Sequence, residues 1–292
     1  MISMKAGLLA LLACGAVTSG ACAETVTWGQ PTAYAPGQVS TANSEVRLSI
    51  SPDGRRELWG VISPAKPDLD IYERVKSGAG WSETRPVAFN SDADDFDPAF
   101  AADGSGAYFF SKRKGGVGGD DIWFTPLSGG RWGTAVNLGS GINTAQNEWA
   151  PTPMPHGCLM VATGGHDGKG GMDLMVFCRT GGVWVRSAAV APALDSLNTA
   201  SNEYDAVWLD ERHIVFAHSD NPDEGASLWL GTLSDGRFSV EALPAAVNGE
   251  SGWTLGPSVS GRDRGQLYIS SGRQGGPGRM DIWRVSWDVK AD

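Results

Sequence analysis

The sequence predicts an all-β fold, a five-bladed β-propeller, on three observations. The chain contains 40 glycines and 12 tryptophans among 292 residues, and glycine-rich turns between aromatic runs are typical of β-proteins. The motif Asp-Ile-Trp, or a close variant of it, returns along the chain at intervals of 51 to 54 residues. No window has a convincing helical period. Four-stranded units that recur every ~50 residues are typical of propeller blades.

Each repeat unit contains several markers in the same order. The motif begins at Asp70, Asp121, Asp173, Ser227 and Asp281. An acidic residue opens each of the first four units, at Glu45, Asp95, Glu148 and Glu203. Unit two shows the strands most clearly, because DPAFAA, GAYFFS, DIWFTPL and RWGTAV are short runs separated by turn residues. The units therefore predict four strands per blade.

The fifth unit lacks its fourth strand, and the N-terminus supplies a candidate for it. The stretch 26–41 resembles the fourth-strand segments of the other units and precedes the first acidic residue. We therefore expect this stretch to complete blade five and close the ring. Closure of this kind removes the two sheet edges that an open array would expose.

The first 23 residues are typical of a secretory signal. Lys5 precedes a short apolar run at 6–17, and the small residues around Cys22 in Ala21–Ala23 predict cleavage before Glu24. The alternative is a lipoprotein acylated at Cys14, which the short stretch before that residue disfavours. Either route predicts export to the periplasm or beyond. The residues 24–292 then form a single propeller domain, and no later segment is apolar enough to span a membrane.

Charge and composition restrict the partners. The chain has a net charge of −10, and loss of Lys5 with the signal leaves 22 basic against 33 acidic residues, a net charge of −11. A surface this acidic repels nucleic acid and anionic lipid, so we expect neither as a partner. We expect a monomer without a cofactor.

Nucleophilic and metal-dependent catalysis have little support in the sequence. There is no GxSxG motif, and the four histidines, which we expect on the surface, are scattered over turns and strands: His156, His166, His213 and His218. The last two are five residues apart in one predicted strand, so they point to opposite faces and cannot share a metal.

The stretch Ser111–Phe124, SKRKGGVGGDDIWF, could be a calcium loop, a phosphate loop or a hairpin. The calcium pattern works in tandem repeats of nine residues, and the period here is about 51. A phosphate loop leads into a helix, whereas a strand follows here. We therefore predict a hairpin loop, in which Asp121 hydrogen-bonds loop amides or pairs with Arg113.

These features resemble the TolB-type, WD40-like propeller repeats of bacterial envelope proteins. The pattern E…P.FSPDG…L.FSS.R.GG.GG.DIW is matched by FDPAFAADGSGAYFFSKRKGGVGGDDIW in unit two, with Asp95 in the Glu position, and by SPDG at Ser51–Gly54 in unit one. Units three to five depart from the SPDG turn. The resemblance covers essentially the whole mature chain. It implies an exported propeller that binds proteins or glycans of the envelope.

The repeated acids and the aromatic residues near them are the candidate binding site. If the acids open the innermost strands, they meet around one mouth of the central channel, together with the aromatic residues Phe96, Trp149, Tyr204 and Trp253. A channel mouth lined in this way could hold a sugar, a cationic peptide or a metal ion. The alternative is structural: each acid caps backbone amides at the start of its strand, and the aromatic side chains pack between blades.

Two classes of function therefore stay open. The first, which we favour, is a non-catalytic binding module. The second is a glycoside hydrolase that uses central carboxylates, because some five-bladed propellers cleave sugars in this way. That chemistry needs two carboxyl groups roughly 5–9.5 Å apart, a distance that the sequence does not supply.

The mature chain contains two cysteines, Cys158 and Cys178, which we predict to form a disulfide; the alternative is an inert buried pair of thiols. They lie in the second and third strands of unit three, at equal distances from the centre of the loop that joins these strands. Antiparallel neighbours have Cα separations of about 4.5–5.5 Å, which a disulfide can span.

Overall fold

The computed structural model describes residues 24–64 and 66–291. The predicted signal peptide, with Cys14 and most of the cleavage region, lies outside the described residues. Within them, no helix is long and apolar enough to cross a membrane.

Five antiparallel sheets form the five blades of a propeller, as predicted. Blade one contains β3 (Ser44–Ile50), β4 (Arg56–Ser63), β5 (Lys66–Ser77), β6 (Gly80–Trp81) and β7 (Arg85–Pro86). Blade two contains β8 (Asp95–Phe100), β9 (Gly106–Ser111), β10 (Asp121–Ser128), β11 (Arg131–Trp132) and β12 (Val136–Asn137). Blade three contains β13 (Glu148–Met154), β14 (Cys158–Thr163), β15 (Asp173–Thr180) and β16 (Val183–Arg186). Blade four contains β17 (Asn202–Trp208), β18 (His213–Ser219), β19 (Ser227–Ser234) and β20 (Arg237–Ala242).

Blade five is built from both ends of the described chain. It contains β21 (Thr254–Val259), β22 (Gln266–Ser271) and β23 (Asp281–Ala291), together with β1 (Glu24–Trp28) and β2 (Thr32–Ala33). The sheet order is β1-β23-β22-β21, and β2 also pairs with β23. The predicted ring closure is therefore confirmed: an N-terminal strand completes the last blade.

Short helical segments connect some strands. They are a 3₁₀ turn at Pro155–Gly157, α1 (Ala191–Leu194) and α2 (Ala245–Asn248). The core lies between the blades, and the first and second strands of each blade contain most of its buried residues. In β14, for example, all six side chains are buried, because this strand has a neighbouring strand on each side and a blade against each face.

The glycine loop of blade two is a hairpin loop, as predicted. The carboxylate of Asp121 accepts hydrogen bonds from the backbone N–H groups of Val117 and Gly118. A Cβ atom at Gly116 would lie 2.1 Å from Asp121 Oδ2, so this position excludes a side chain. Arg113 pairs with Asp95, at 2.5 Å, and not with Asp121. The loop therefore folds around its own carboxylate.

A disulfide joins Cys158 and Cys178 across β14 and β15. The two residues are directly opposite in the strand register, with their Cα atoms 4.0 Å apart. The bond ties together the second and third strands of blade three, at the end of the blade where the 3₁₀ turn lies.

Candidate functional site

The four repeated acids share one hydrogen-bonding pattern. Each carboxylate accepts bonds from the backbone N–H and the side-chain hydroxyl of a Thr or Ser four residues earlier: Thr41, Ser91, Thr144 and Thr199. Glu148 accepts at 2.9 Å from Thr144 N, at 2.7 Å from Thr144 Oγ1 and at 2.9 Å from Thr163 Oγ1. This is the capping arrangement, in which the acid fixes the loop that enters its strand.

The four repeated acids are buried. Glu45, Asp95, Glu148 and Glu203 are each at most 1% exposed. Burial raises the pKa of Glu45 to about 7, against the hydrogen bonds from Thr41, which lower it. The pKa values of Glu148 and Glu203 are raised for the same reason. None of the four acids lines the central cavity described below.

The aromatic residues that follow the acids pack between blades. Phe96 and Tyr204 are buried. Trp149 lies between them in the ring, 6.3 Å from the Tyr204 ring, and its indole nitrogen donates to Asp120 at 2.7 Å. Trp253 is partly exposed and precedes β21, where it forms an isolated bridge with Ala226. These residues close the spaces between blades.

The histidines do not form a cluster. His213, which the sequence analysis placed on the surface, is only 1% exposed, so that prediction was wrong for this residue. Its Nδ1 lies 2.9 Å from Asp210 Oδ2. Among the described residues, no group of three or more His, Cys, Asp or Glu side chains is arranged to hold a metal ion.

The residues that meet at the propeller axis lie two positions after the acids. We call this the bulge position, because the register of every innermost strand shifts there. Its five members are Arg47, Asp97, Ala150, Asp205 and Gly256, with φ angles of 53°, 51°, 53°, 50° and 61°. Left-handed backbone is uncommon for residues other than glycine and often marks functional sites. Each bulge turns its residue out of the ordinary alternation of the strand.

Arg47 crosses the channel and closes it. This residue belongs to blade one, whose ring neighbours are blades two and five. Its guanidinium nonetheless reaches Asp205 Oδ1 of blade four at 3.0 Å, and Pro151 O and Thr152 Oγ1 of blade three at 3.0 and 2.8 Å. Asp205 Oδ2 in turn accepts from Gly256 N of blade five at 2.9 Å. These bonds tie four bulge-bearing strands to one another at the axis.

The two channel carboxyl groups, Asp97 and Asp205, differ in their contact with Arg47. The pKa of Asp97 is raised to about 8, because burial and then the nearby Asp205 carboxylate raise it, whereas Arg47 lowers it. Burial also raises the pKa of Asp205, but Arg47 and the Gly256 N–H oppose that rise. We therefore assign the negative charge to Asp205, which contacts Arg47 directly, and a proton to Asp97 at neutral pH. The group formed by Arg47, Asp97 and Asp205, which we call the plug, then has no net charge.

A cavity of about 540 Å³ lies at the end of the innermost strands, with Arg47 in its lining. We call this cavity the funnel. Its walls contain prolines, hydroxyl groups and one large aromatic ring, including Pro52, Pro98, Phe100, Thr152, Pro257 and Ser260. Arg262 is exposed at its rim and donates from Nε to Pro52 O at 2.9 Å. Arg47 and Arg262 are the charged residues of the lining, and no carboxylate lines it.

The sequence analysis missed the bulge position. A signal for it was present: Arg47, Asp97 and Asp205 are charged residues within otherwise apolar strand runs, two positions after an acid of the repeat. A proline follows the bulge residue in three units, at Pro98, Pro151 and Pro257. Four residue types occupy this position in the five units, whereas the acid recurs in four of them.

No protein-family model matches this chain, and no curated protein matches it in sequence. Among solved structures it is similar to TolB from Acinetobacter baumannii, with 13% identity and a TM-score of 0.50 over 85% of this chain. The similarity covers 56% of the TolB chain, so this chain spans little more than half of that protein's length.

Two further structures are more distant in shape. A protein of unknown function from Dyadobacter fermentans is 11% identical, with a TM-score of 0.47 over 91% of this chain and 99% of the other. The Hadza microbial sialidase Hz136 is 12% identical, with a TM-score of 0.45 over 87% of this chain and 67% of the other. At these identities the comparisons show the fold alone, a β-propeller similar to that of TolB.

Proposed function

We propose that this chain is an exported, non-catalytic β-propeller of the bacterial envelope, which binds a protein or glycan in the funnel. The observation that carries the proposal is the charge of the funnel. Its lining contains the exposed Arg262 and, among the described residues, no carboxylate, while the Arg47 in the lining is paired with Asp205; the chain as a whole has a net charge of −10. Concave surfaces lined by one sign of charge concentrate ligands of the opposite sign. We therefore expect the ligand to present an anionic or strongly hydrogen-bond-accepting group.

Export and the periplasmic location rest on the predicted signal at 1–23 and on the resemblance of the repeats to TolB-type propellers. The glycine-rich hairpin loops and the capping acids then belong to the fold. The funnel is the part of the molecule that differs from blade to blade, as a site for an asymmetric ligand must.

A glycoside hydrolase is the second candidate, and one observation favours it. A protonated Asp97 close to a charged Asp205 matches the protonation states of an acid and a base or nucleophile. Both carboxyl groups are engaged elsewhere, however: Asp205 with Arg47 and Gly256 N, and Asp97 with the Ala150 N–H. Neither lines the funnel, so a sugar there would not contact either carboxyl group. The geometry therefore supports binding over hydrolysis.

A blocked funnel tests the proposal. Gly261 lines the funnel, and a Cβ atom there would meet nothing within 4 Å, so Gly261→Trp can fill the mouth without a clash at the backbone. Gly80→Trp is the matched control, because Gly80 also faces open space but lies on the outer edge of blade one. Purified wild-type protein and both variants are used to capture ligands from an envelope extract and on a glycan array.

We expect a protein or glycan captured by the wild type and by Gly80→Trp to be lost with Gly261→Trp. Equal capture by all three would contradict a funnel site. Turnover of an aryl-glycoside panel should be absent. Measurable hydrolysis that Asp97→Asn abolishes would replace the binding proposal with the hydrolase.

A further inference from the structure

A second cavity lies beside the funnel, in the cleft between blades three and four. Its volume is about 490 Å³, and its lining is mostly apolar. Met154 and Val176 line it from blade three, and Trp208 and Leu233 line it from blade four. The cleft and the funnel share four lining residues: Thr152, Pro153, Val207 and Val259. The two cavities therefore adjoin, and one elongated partner could occupy both.

The cleft exists because blade three has a small residue where its neighbours have a large one. Three positions after the bulge, blades two and four have Phe100 and Trp208, and blade three has Pro153. Phe100 stacks on Trp132 of its own blade at 6.0 Å, and Trp208 packs on Phe238 at 5.7 Å. No such aromatic pair occupies this place in blade three.

The wall on the side of blade three is preformed. The Cys158–Cys178 disulfide lines the cleft and ties β14 to β15. Pro153 and Pro155 fix the backbone φ angle on either side of Met154. A rigid wall of this kind loses little conformational freedom when a ligand binds, which favours affinity.

Charge at the rim indicates which apolar ligand fits. Asp210 and Glu211 are exposed at the edge of the cleft; among the described residues, its lining contains no Lys or Arg, and His156 is its one imidazole. An acidic rim repels the headgroups of fatty acids and anionic lipids, and attracts an ammonium or guanidinium group. The rim of the cleft is therefore negatively charged, whereas the rim of the funnel has the positive charge of Arg262.

We propose that the cleft binds a segment of a partner protein in which a bulky apolar side chain is next to Lys or Arg. The apolar side chain enters between Met154 and Trp208, and the basic group lies on Glu211 and Asp210. This second site extends the proposed function. It rests on that function in one respect, because the partner protein in the cleft is the one that also reaches the funnel. Recognition then has two parts: an anionic group in the funnel and a basic-apolar pair in the cleft.

Two matched peptides test this assignment by calorimetry. They are acetyl-Leu-Trp-Lys-Arg-amide and acetyl-Leu-Trp-Glu-Glu-amide, which differ in charge beside the same apolar pair. Ala189→Trp fills the cleft from an exposed lining position, and Ala188→Trp, at the exposed residue beside it that does not line the cleft, is its control. Glu211→Lys reverses the rim charge. Its control is Glu241→Lys, on the exposed outer strand of blade four.

We expect the basic peptide to bind and the acidic peptide to bind at least about fivefold more weakly. Ala189→Trp should weaken the basic peptide by about tenfold or more, since it removes the burial of a large side chain. Glu211→Lys, an exposed change that leaves the core intact, should weaken it by about threefold or more. Both control variants should bind within about twofold of the wild type.

Preference for the acidic peptide, or equal affinity of the wild type and Ala189→Trp, would overturn the assignment. Competition by decanoate that Ala189→Trp abolishes would identify a lipid cleft instead. Gly261→Trp should leave peptide binding in the cleft unchanged. If the basic peptide binds the cleft but Gly261→Trp changes no capture, the funnel proposal alone is contradicted. If Gly261→Trp abolishes capture but the basic peptide does not bind, the cleft proposal alone is contradicted.

Discussion

Two positions of the same innermost strand behave differently, although only two residues separate them. The acid position has a carboxylate in four of five blades, and each one caps the loop before its strand. The bulge position has a different environment in each blade and holds Arg47, Asp97, Ala150, Asp205 and Gly256. The recurring residue maintains the fold, and the variable residue shapes the channel. A ligand without fivefold symmetry can be recognised only where the blades differ.

The largest expected effect comes from breaking the plug at the bulge position. Arg47→Met should lower the free energy of unfolding by about 3–5 kcal/mol, because it leaves the Asp205 carboxylate buried without its partner. Urea denaturation measures this change. Arg262→Met at the exposed rim is the control and should change stability by less than about 0.5 kcal/mol. Similar effects of the two substitutions would mean that Arg47 does not close the channel.

The next effect is a change in pH dependence. The pKa of Asp97 is raised to about 8 in the folded protein from 3.8. Its contribution to stability is therefore fully present below pH 3.8 and is lost as the pH rises through 8. Between pH 3.8 and pH 8, the titration of Asp97 lowers the free energy of unfolding by up to about 1.4 kcal/mol for each unit by which the pH rises.

Asp97→Asn keeps the shape of the side chain and tolerates left-handed backbone, but has no proton to lose. We expect the variant to lose less stability than the wild type between pH 5 and 8, in urea titrations at several pH values. Glu45, with a pKa raised to about 7, contributes in the same direction in both proteins, so the difference between them reports on Asp97 and its neighbour Asp205. Parallel pH profiles would contradict the protonation assigned to the plug.

A smaller effect is expected at Ala150. Its φ of 53° places an alanine in left-handed backbone, which glycine adopts at lower cost. Ala150→Gly should therefore stabilise the protein by up to about 1 kcal/mol, and Ala162→Gly, within the regular strand β14, should destabilise it. Thermal unfolding of both variants measures the contrast. Destabilisation at both positions would mean that the bulge stores no strain at Ala150.

The repeat allowed the fold to be predicted from the sequence, because each blade has the same markers in the same order. The closing strand could be identified for this reason, since its segment resembles the fourth strands of other units. In the structure it pairs with the last strand, with Glu24 opposite Ala291. The cysteine pair was also predictable, because Cys158 and Cys178 are symmetric about a hairpin loop.

The candidate site could not be predicted in the same way. The acids were predicted as binding residues because they recur. In the structure, each of the four caps the loop before its strand. A bulge without glycine has no strong local signal, and four of the five bulge residues are not glycine. The contacts of Arg47 with blades three and four join residues more than 100 positions apart. Only the closed ring brings these groups together.

The most direct test of the division between the acid and bulge positions is binding by the double variant Glu148→Gln, Glu203→Gln. Each neutral amide accepts hydrogen bonds more weakly than a carboxylate, so we expect a loss of stability on the order of 1 kcal/mol per site. Capture of the funnel ligand, measured beside Gly261→Trp, should remain at the wild-type level. Loss of binding in the double variant with an unchanged melting temperature would contradict the account. It would mean that the repeated acids, and not the funnel, bind the ligand.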